Sequence, residues 1–514
     1  MSFASLSQAS VAPLLGRFAA ATDVTLLVGA GASMEADLPS WPRLVERLLS
    51  SVAETRPDLP SANLKQEWIQ QTLRRNDLLG AGAVVEVLAP ERLDTLVPEQ
   101  LYGPPGPAGY LPGPIARQVA DLKLLFADQL EVLTTNYDDL IERALLEAGV
   151  AQTNIRSYIQ DRRPDQRAQK TVAVVHLHGL AGRSEKPKRI VLTEEHYHRM
   201  QRGSSWQERL VTKRLEESLC LFVGMSLSDP NLIRYLYGYR QSDARKHAAI
   251  FVRQGDESLP GEVRAALEEA AIKRWARCGV EAVFIDHFAD AAQLLHEIAY
   301  RRRAGDEYEP IEARASRLID LAERWVLLTD RDQRLFAHRQ VLLSEWLRGL
   351  LYTLLRTALD GDPPAEEKLA ITLWLVSRDG TQLTGWAHSD RAHQDPATVM
   401  PLPIASDSHW VAIRTICQGA RFERDRDIYA SRWRFVRGLP LVIEQPSRLP
   451  IGCLTISSTR NGAESVLTQM PADRRAALHD ALLEANRMLI TRAIEVGAGG
   501  QEADEAGAAA RPED

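Results

Sequence analysis

Four short apolar runs in the first half of the chain open directly into small, polar or ionisable residues. Val24–Val28 leads to Gly29-Ala30-Gly31-Ala32-Ser33, and Leu130–Leu133 leads to Thr134-Thr135-Asn136-Tyr137-Asp138. Val172–Leu177 carries His176, with His178 and Gly179 just beyond, and Leu219–Val223 leads to Gly224-Met225-Ser226-Leu227-Ser228-Asp229-Pro230-Asn231. A strand that ends in glycines and turns into a helix lets backbone approach a phosphate, because glycine has no side chain and the helix start offers N–H groups. An asparagine can orient water or a ribose hydroxyl without ionising, and a histidine near its ordinary pKa can take a proton at neutral pH.

Each segment also has a plainer reading. The glycines could serve a structural turn, Asn136 or Asp138 could cap the helix that follows, and Asp229 could cap a helix with Pro230 in its first turn. His176 and His178, two residues apart, point to one side if the strand continues through them, but no third ligand lies nearby and no metal site is expected. Met34 stands where GxGxxG would place its third glycine, and no second strand ends in an acid at the spacing a dehydrogenase uses to hold ribose. Redox use of a dinucleotide is therefore not the expectation.

The elements that must position these residues follow from the apolar pattern. Val24–Val28, Leu130–Leu133, Val172–Leu177, Ile190–Leu192, Leu219–Val223, Ala248–Val252 and Ala282–Ile285 read as strands, several without polar alternation, as strands covered on both faces do. Helical patterns, such as Trp41–Leu49 and Asp138–Ala148, lie between them. The alternation predicts α/β architecture: a Rossmann-like parallel sheet with helices on both faces, whose strand ends converge on one cleft. The prolines and glycines of Tyr102–Pro114 predict a surface loop.

The 514 residues exceed one ordinary core, so two domains are expected. A net charge of −7, with only short basic stretches at Arg162-Arg163 and Arg301–Arg303, gives no reason to expect direct binding of nucleic acid. The four cysteines, at 220, 278, 417 and 453, form no CxxC pair, which argues against a zinc ribbon or a disulfide framework and for reduced thiols in a cytoplasmic protein. The first twenty residues lack a basic stretch followed by a long apolar run and read as a short helix. No stretch approaches the ~18 uninterrupted apolar residues of a membrane span.

Taken together and in order, GAGAS at 29–33, LPSW at 38–41, TTNYD at 134–138, HLHG at 176–179 and GMSLSDPN at 224–231 resemble the Sir2-like family. The likeness covers roughly residues 10–300 and is strongest to bacterial Sir2-like NAD hydrolases of antiphage defence. It implies NAD as substrate rather than redox carrier, with Asn136 and His178 catalytic and His176 a neighbour of the base. It further implies that Gly29, Ala30, Gly31 and Ser33 contact the pyrophosphate. Asp138 would lie near the carboxamide or ribose, and Gly224, Ser226 and Asp229 near the adenosine ribose. The chain lacks the paired zinc cysteines of protein-deacylating sirtuins, and Asp37-Leu38-Pro39-Ser40-Trp41 replaces their GIPDFR-type segment. Both departures count against acyl-peptide binding. The alternatives are a deacylase or ADP-ribosyl transferase on the same site, or a non-enzymatic sensor of NAD or ADP-ribose.

The expected division is a Sir2-like domain over 1–305, a helical linker over 306–334, a second domain over 335–496 and a disordered tail over 497–514. In the second half, an amphipathic helix at Leu335–Leu359, strands at Ile371–Val376 and Leu383–Ala387, a helix at His409–Gln418, strands at Leu439–Ile443 and Ile451–Ser457 and a last helix predict an α+β domain. The run Trp433-Arg434…Leu439-Pro440-Leu441…Leu449-Pro450-Ile451-Gly452-Cys453-Leu454 is similar to GAF-type domains. That resemblance implies a sensory or dimerisation role, with the flanking helices as dimer surfaces and Cys453 a core residue. An NAD-cleaving domain fused to such a module implies a gated effector. Its activator would be a phage protein, a nucleotide or a partner subunit acting through the C-terminal domain, and a homo-oligomer is expected.

Overall fold

The structure is a computed structural model that describes residues 8–310, with breaks at 35, 37, 91, 104–109, 111, 160–170, 183–188, 202–204, 239–246 and 254–258. It also describes 344–356, 366–377, 382–390, 401–404, 408–418, 422–425, 432–442 and 450–484, with further short breaks at 354 and within 472–483. The chain divides into two compact units, one of residues 9–305 and a second that takes in the chain from 306 onward.

The first unit opens with α1 (Val11–Ala20), β1 (Val24–Val28) and the single turn α2 (Gly31–Met34). Five helices follow: α3 (Trp41–Glu54), α4 (Ala62–Arg75), α5 (Leu78–Leu88), α6 (Leu93–Tyr102) and α7 (Pro114–Phe126). Then come β2 (Leu130–Thr134), α8 (Leu140–Glu147), β3 (Ile155–Tyr158), β4 (Val172–His176), α9 (Glu194–Gln201) and α10 (Trp206–Glu217). The unit ends with β5 (Leu219–Val223), α11 (Pro230–Gly238), β6 (His247–Val252), α12 (Gly261–Ala276), β7 (Val280–Ile285) and α13 (Phe288–Ala304).

The seven strands form one parallel sheet in the order β3-β4-β2-β1-β5-β6-β7. The chain starts at the centre with β1, builds outward through β2, and then crosses to the other side of β1 with β5. That reversal opens a crevice at the carboxyl ends of β1, β2 and β5, the position at which open α/β sheets take ligands. β1 and β5 are buried at every residue, which is why neither shows polar alternation.

Two expectations about strands need correction. Ile190–Leu192 is not a strand. Ile190 and Leu192 are buried, and Val191 braces neighbouring loops, donating its N–H to the His178 carbonyl and accepting the Tyr137 hydroxyl. Its apolar character serves packing under a loop. The edge strand β3, Ile-Arg-Ser-Tyr, was not foreseen, because with one face open to solvent it carries little apolar signal. The predicted loop at Tyr102–Pro114 begins at the last residue of α6 and ends at the first of α7, and Gly103 between them adopts φ +59°.

The second unit holds a six-stranded sheet: β8 (Leu369–Val376), β9 (Gln382–His388), β10 (Leu402–Pro403), β11 (Phe422–Asp425), β12 (Phe435–Val442) and β13 (Pro450–Ser458). Their order is β10-β9-β8-β13-β12-β11, and every pairing is antiparallel. One face packs α14 (Val411–Gln418) through Ala412, Ile413 and Ile416 onto Leu383 and Cys453. The other face packs the helical residues around 344–356 and 474–484. There Leu347, Leu351, Leu355, Leu478 and Leu482 cluster with Ile371, Leu373, Leu454 and Ile456. The described apolar stripe of the leading helix, Leu347, Leu351 and Leu355, is thus taken up by its own sheet. Leu343, Leu354, Ala485 and Leu489, the proposed linker beyond residue 310 and the tail over 497–514 lie outside the described residues.

Candidate functional site

The loops after β1 and β5 meet backbone to backbone. The Gly29 N–H donates to the Val223 carbonyl at 2.9 Å and the Gly31 N–H to the Gly224 carbonyl at 2.8 Å. A Cβ on Gly29 or Gly31 would lie 2.6 or 2.8 Å from the Gly224 backbone, and one on Gly224 would lie 2.6 Å from the Ala32 nitrogen. Gly224 also has φ +66°, so glycine is required there twice over. These glycines first of all let two loops touch. The expected row of free N–H groups is not what the loop presents, since Gly29, Gly31, Ala32, Ser33 and Met34 all donate to backbone carbonyls. α2 is a single turn, too short to carry a sizeable dipole.

Above this seam lies a cavity of about 530 Å³, within the range of small-molecule and cofactor sites. Its lining gathers the residues singled out in the sequence. Gly29, Ala30, Gly31 and Ser33 come from the first loop, Asn136 and Asp138 from the second, His178 from the end of β4, and Gly224, Ser226 and Asp229 from the loop after β5. Leu38, Pro39, Trp41, Tyr137 and Tyr197 are among the other residues of the walls.

Asn136, Ser33 and Asp138 form a chain of hydrogen bonds. The Ser33 hydroxyl donates to Asp138 Oδ2 at 2.7 Å, so the group of Asn136 that faces Ser33 Oγ must itself be a donor, and Asn136 Nδ2 lies 2.9 Å away. That fixes the amide and leaves Asn136 Oδ1 buried with no partner. Trp41 Nε1 is likewise buried and without a partner. A buried polar atom left unpaired costs about 1–3 kcal/mol, and both residues line the cavity. Asp138 also accepts the Leu140 N–H on Oδ1 at 3.1 Å, so the helix-start reading holds beside the site reading. Burial pushes the Asp138 carboxyl up to about 6, against the opposing bond from Ser33.

The two histidines part company because β4 ends at His176. They do not share a side, as a continued strand would have required. His178 lies beyond the strand end, with Nε2 3.4 Å from Asp229 Oδ2 and its ring edge-on to Tyr197 at 5.5 Å. Burial holds its imidazole below the usual range, with Asp229 pulling the other way, so the ring is neutral at pH 7. Asp229 accepts the Tyr197 hydroxyl at 2.6 Å on the oxygen that faces His178, and the Leu232 N–H at 2.8 Å on the other. Asp229 therefore caps α11 and faces the His178 ring at once. Ser226 pairs with Ser228 at 2.6 Å on the rim.

Tyr197 and Glu142 escaped the sequence reading. Tyr197 sits on α9 within Glu-Glu-His-Tyr-His, where nothing marks one aromatic ring as facing a cleft. Glu142 reads as an ordinary first-turn helix acid. Trp41 lay inside the quoted LPSW segment, with no role attached. Among the described residues, no group of three His, Cys, Asp or Glu could hold a metal ion. The four cysteines are buried and none is in a disulfide bond, and no described helix is long and apolar enough to cross a membrane.

The SIR2-like domain family matches residues 130–282. The NAD(+) hydrolase ThsA of Acinetobacter baumannii (strain 532279) is 29% identical over 177 residues, which is 33% of this chain and 36% of that protein. The NAD(+) hydrolase ThsA of Bacillus cereus (strain MSX-D12) is 26% identical over 175 residues, 32% of this chain and 35% of that protein. The chain thus matches about a third of the length of these relatives. Among solved structures, a Sir2 homologue in complex with NAD aligns over 57% of this chain and 93% of its own, at 15% identity and a TM-score of 0.29. A mutant Sir2 homologue in complex with ADP-ribose aligns over 58% and 98%, at 15% identity and a TM-score of 0.28. Residues 130–282 are thus similar to the SIR2-like domain family, and about a third of the chain is similar to about a third of the ThsA NAD(+) hydrolases.

Proposed function

We propose that the first unit is an NAD+ hydrolase that cleaves the bond between nicotinamide and ribose. The observation that carries this reading is the meeting, in one cavity at the sheet's crevice, of a neutral buried histidine and an asparagine whose Oδ1 is buried without a partner. Nicotinamide departs with the bonding electron pair and becomes neutral, leaving an oxocarbenium-like sugar. The protein has to supply position and a poised water rather than a strong acid. Asn136 Oδ1 accepts a hydrogen bond from the attacking water or a ribose hydroxyl and orients it. His178 takes the proton released as water adds to the anomeric carbon, and Asp229 stabilises the imidazolium so formed. One NAD+ and one water give ADP-ribose, nicotinamide and a proton.

The glycine seam, Ser33, Asp138, Ser226 and Asp229 form the dinucleotide-binding wall in this reading. The second unit is a GAF-like module that gates the enzyme, which acts as an NAD-depleting effector in bacterial antiphage defence, in the cytoplasm and as an oligomer. The similarity of the SIR2-like domain to ThsA supports the hydrolase, and the separate α+β unit supports a gate. The test is NAD+ consumption and nicotinamide release by the purified chain beside its His178→Ala variant, each with and without lysate from phage-infected cells. Cleavage by the parent alone supports the reading. NAD+ binding without turnover under any condition would replace it with a sensor.

A further inference from the structure

Asn136 is held at three points. Its N–H donates to Thr134 Oγ1 at 3.0 Å, its Nδ2 donates to Ser33 Oγ at 2.9 Å, and its carbonyl oxygen lies 3.1 Å from His176 Nδ1. The other ring nitrogen of His176, Nε2, lies 2.8 Å from Glu142 Oε1, which also accepts the Ser157 hydroxyl at 2.5 Å. A peptide carbonyl cannot donate, so Nδ1 must carry a proton. Although burial opposes both charges, their attraction holds the Glu142 carboxyl below and the His176 imidazole above its usual range, which favours a second proton on Nε2. His176 is 1% exposed and Glu142 6%, so this is a buried imidazolium–carboxylate pair. Such a pair adds little stability over apolar side chains of the same volume. Its placement directly behind Asn136 calls for another reason.

We propose that His176, kept charged by Glu142, is a positioning residue that pins the Asn136 carbonyl and so fixes the orientation of the Asn136 amide in the cavity. The proposal rests on the reading of Asn136 as a residue of the NAD+-cleaving site. His176 touches no cavity wall in this role and acts only through Asn136. The ionisable groups that face its ring are Glu142 on α8 and Asp138 in the loop after β2, both acids that favour its charge.

Asparagine places an amide donor near the Nδ1 position of a histidine, and glutamine places one near Nε2. The discriminating pair, in the full-length chain, is therefore His176→Asn with Glu142→Gln against His176→Gln with Glu142→Gln. Both remove the two charges together and leave no buried ion unpaired. The glutamine form is expected to lose about 100-fold in kcat with KM for NAD+ within about threefold, and the asparagine form to regain at least about tenfold of that loss. Parent-like turnover in the folded glutamine form overturns the proposal. So does an equal loss in both forms that tracks their melting temperatures, because that is a purely structural role.

A second readout is independent of turnover. In chain labelled with 15N-histidine, both ring nitrogens of His176, assigned by their absence in His176→Gln, are expected at imidazolium positions at pH 8. A neutral ring overturns the proposal even in an active enzyme. A parent that shows the imidazolium yet stays inactive under every condition, lysate from phage-infected cells included, refutes the hydrolase reading and leaves the clamp standing.

Discussion

At the scale of single residues, the site is built by pairing groups whose environments push them in opposite directions. Asp138 is buried and held up to about 6, while His178 is buried and held down. A rate that needs ionised Asp138 and neutral His178 should therefore rise through about pH 6, and Asp138→Asn should flatten that limb of a pH profile of nicotinamide release. Asp138 binds its proton more tightly in the folded chain than in the unfolded one. It therefore destabilises the fold as pH rises from its ordinary 3.8 through about 6, by about 3 kcal/mol once fully ionised. Asp138→Asn should accordingly raise stability at pH 7.5 by about 1–2 kcal/mol, with the gain vanishing below about pH 4, in urea melts at both values. Asn136→Ala and His178→Ala should each abolish NAD+ cleavage with circular dichroism spectra and melting temperatures close to those of the parent. Normal turnover in either would remove that residue from the mechanism.

At the scale of elements, legibility followed burial. β1 and β5 were readable because they are covered on both faces, and the polar loops at their ends were readable because each follows a buried run directly. The sequence could bring Asn136, His178, Gly224 and Asp229 to one edge because parallel strands end on one edge. It could not show that His178 and Asp229 come within 3.4 Å of one another, since that depends on how far β4 runs before the chain turns. Nor could it show that Glu142 lies behind Asn136, because α8 places its buried acid by rotation about a helix axis. Ile190–Leu192 misled because a three-residue apolar run packs a loop as well as it makes a strand. At the seam itself, Gly224→Ala places a side chain in the left-handed region and against the Ala32 nitrogen. It should destabilise the chain by about 2–3 kcal/mol in denaturant melts and weaken NAD+ binding along with it.

At the scale of the molecule, two compact units each close their own core, and the second does so on both faces of its antiparallel sheet. Separate cores should give two calorimetric transitions. Leu454→Ala, at a fully buried position of β13, should lower only one of them, with a cost of about 2–5 kcal/mol. A single transition that moves as a whole would mean the units fold together. The seam beneath the cavity has a mechanical meaning for the molecule too. Packed surfaces usually slip past one another because side chains change rotamer, whereas here the Gly29–Gly31 and Gly224 backbones touch directly, with the Met225 side chain against Gly29. The joint behaves as a weld. The floor of the cavity is thus held by main-chain hydrogen bonds, whereas Trp41 at the head of α3 and Tyr197 on α9 line it with side chains.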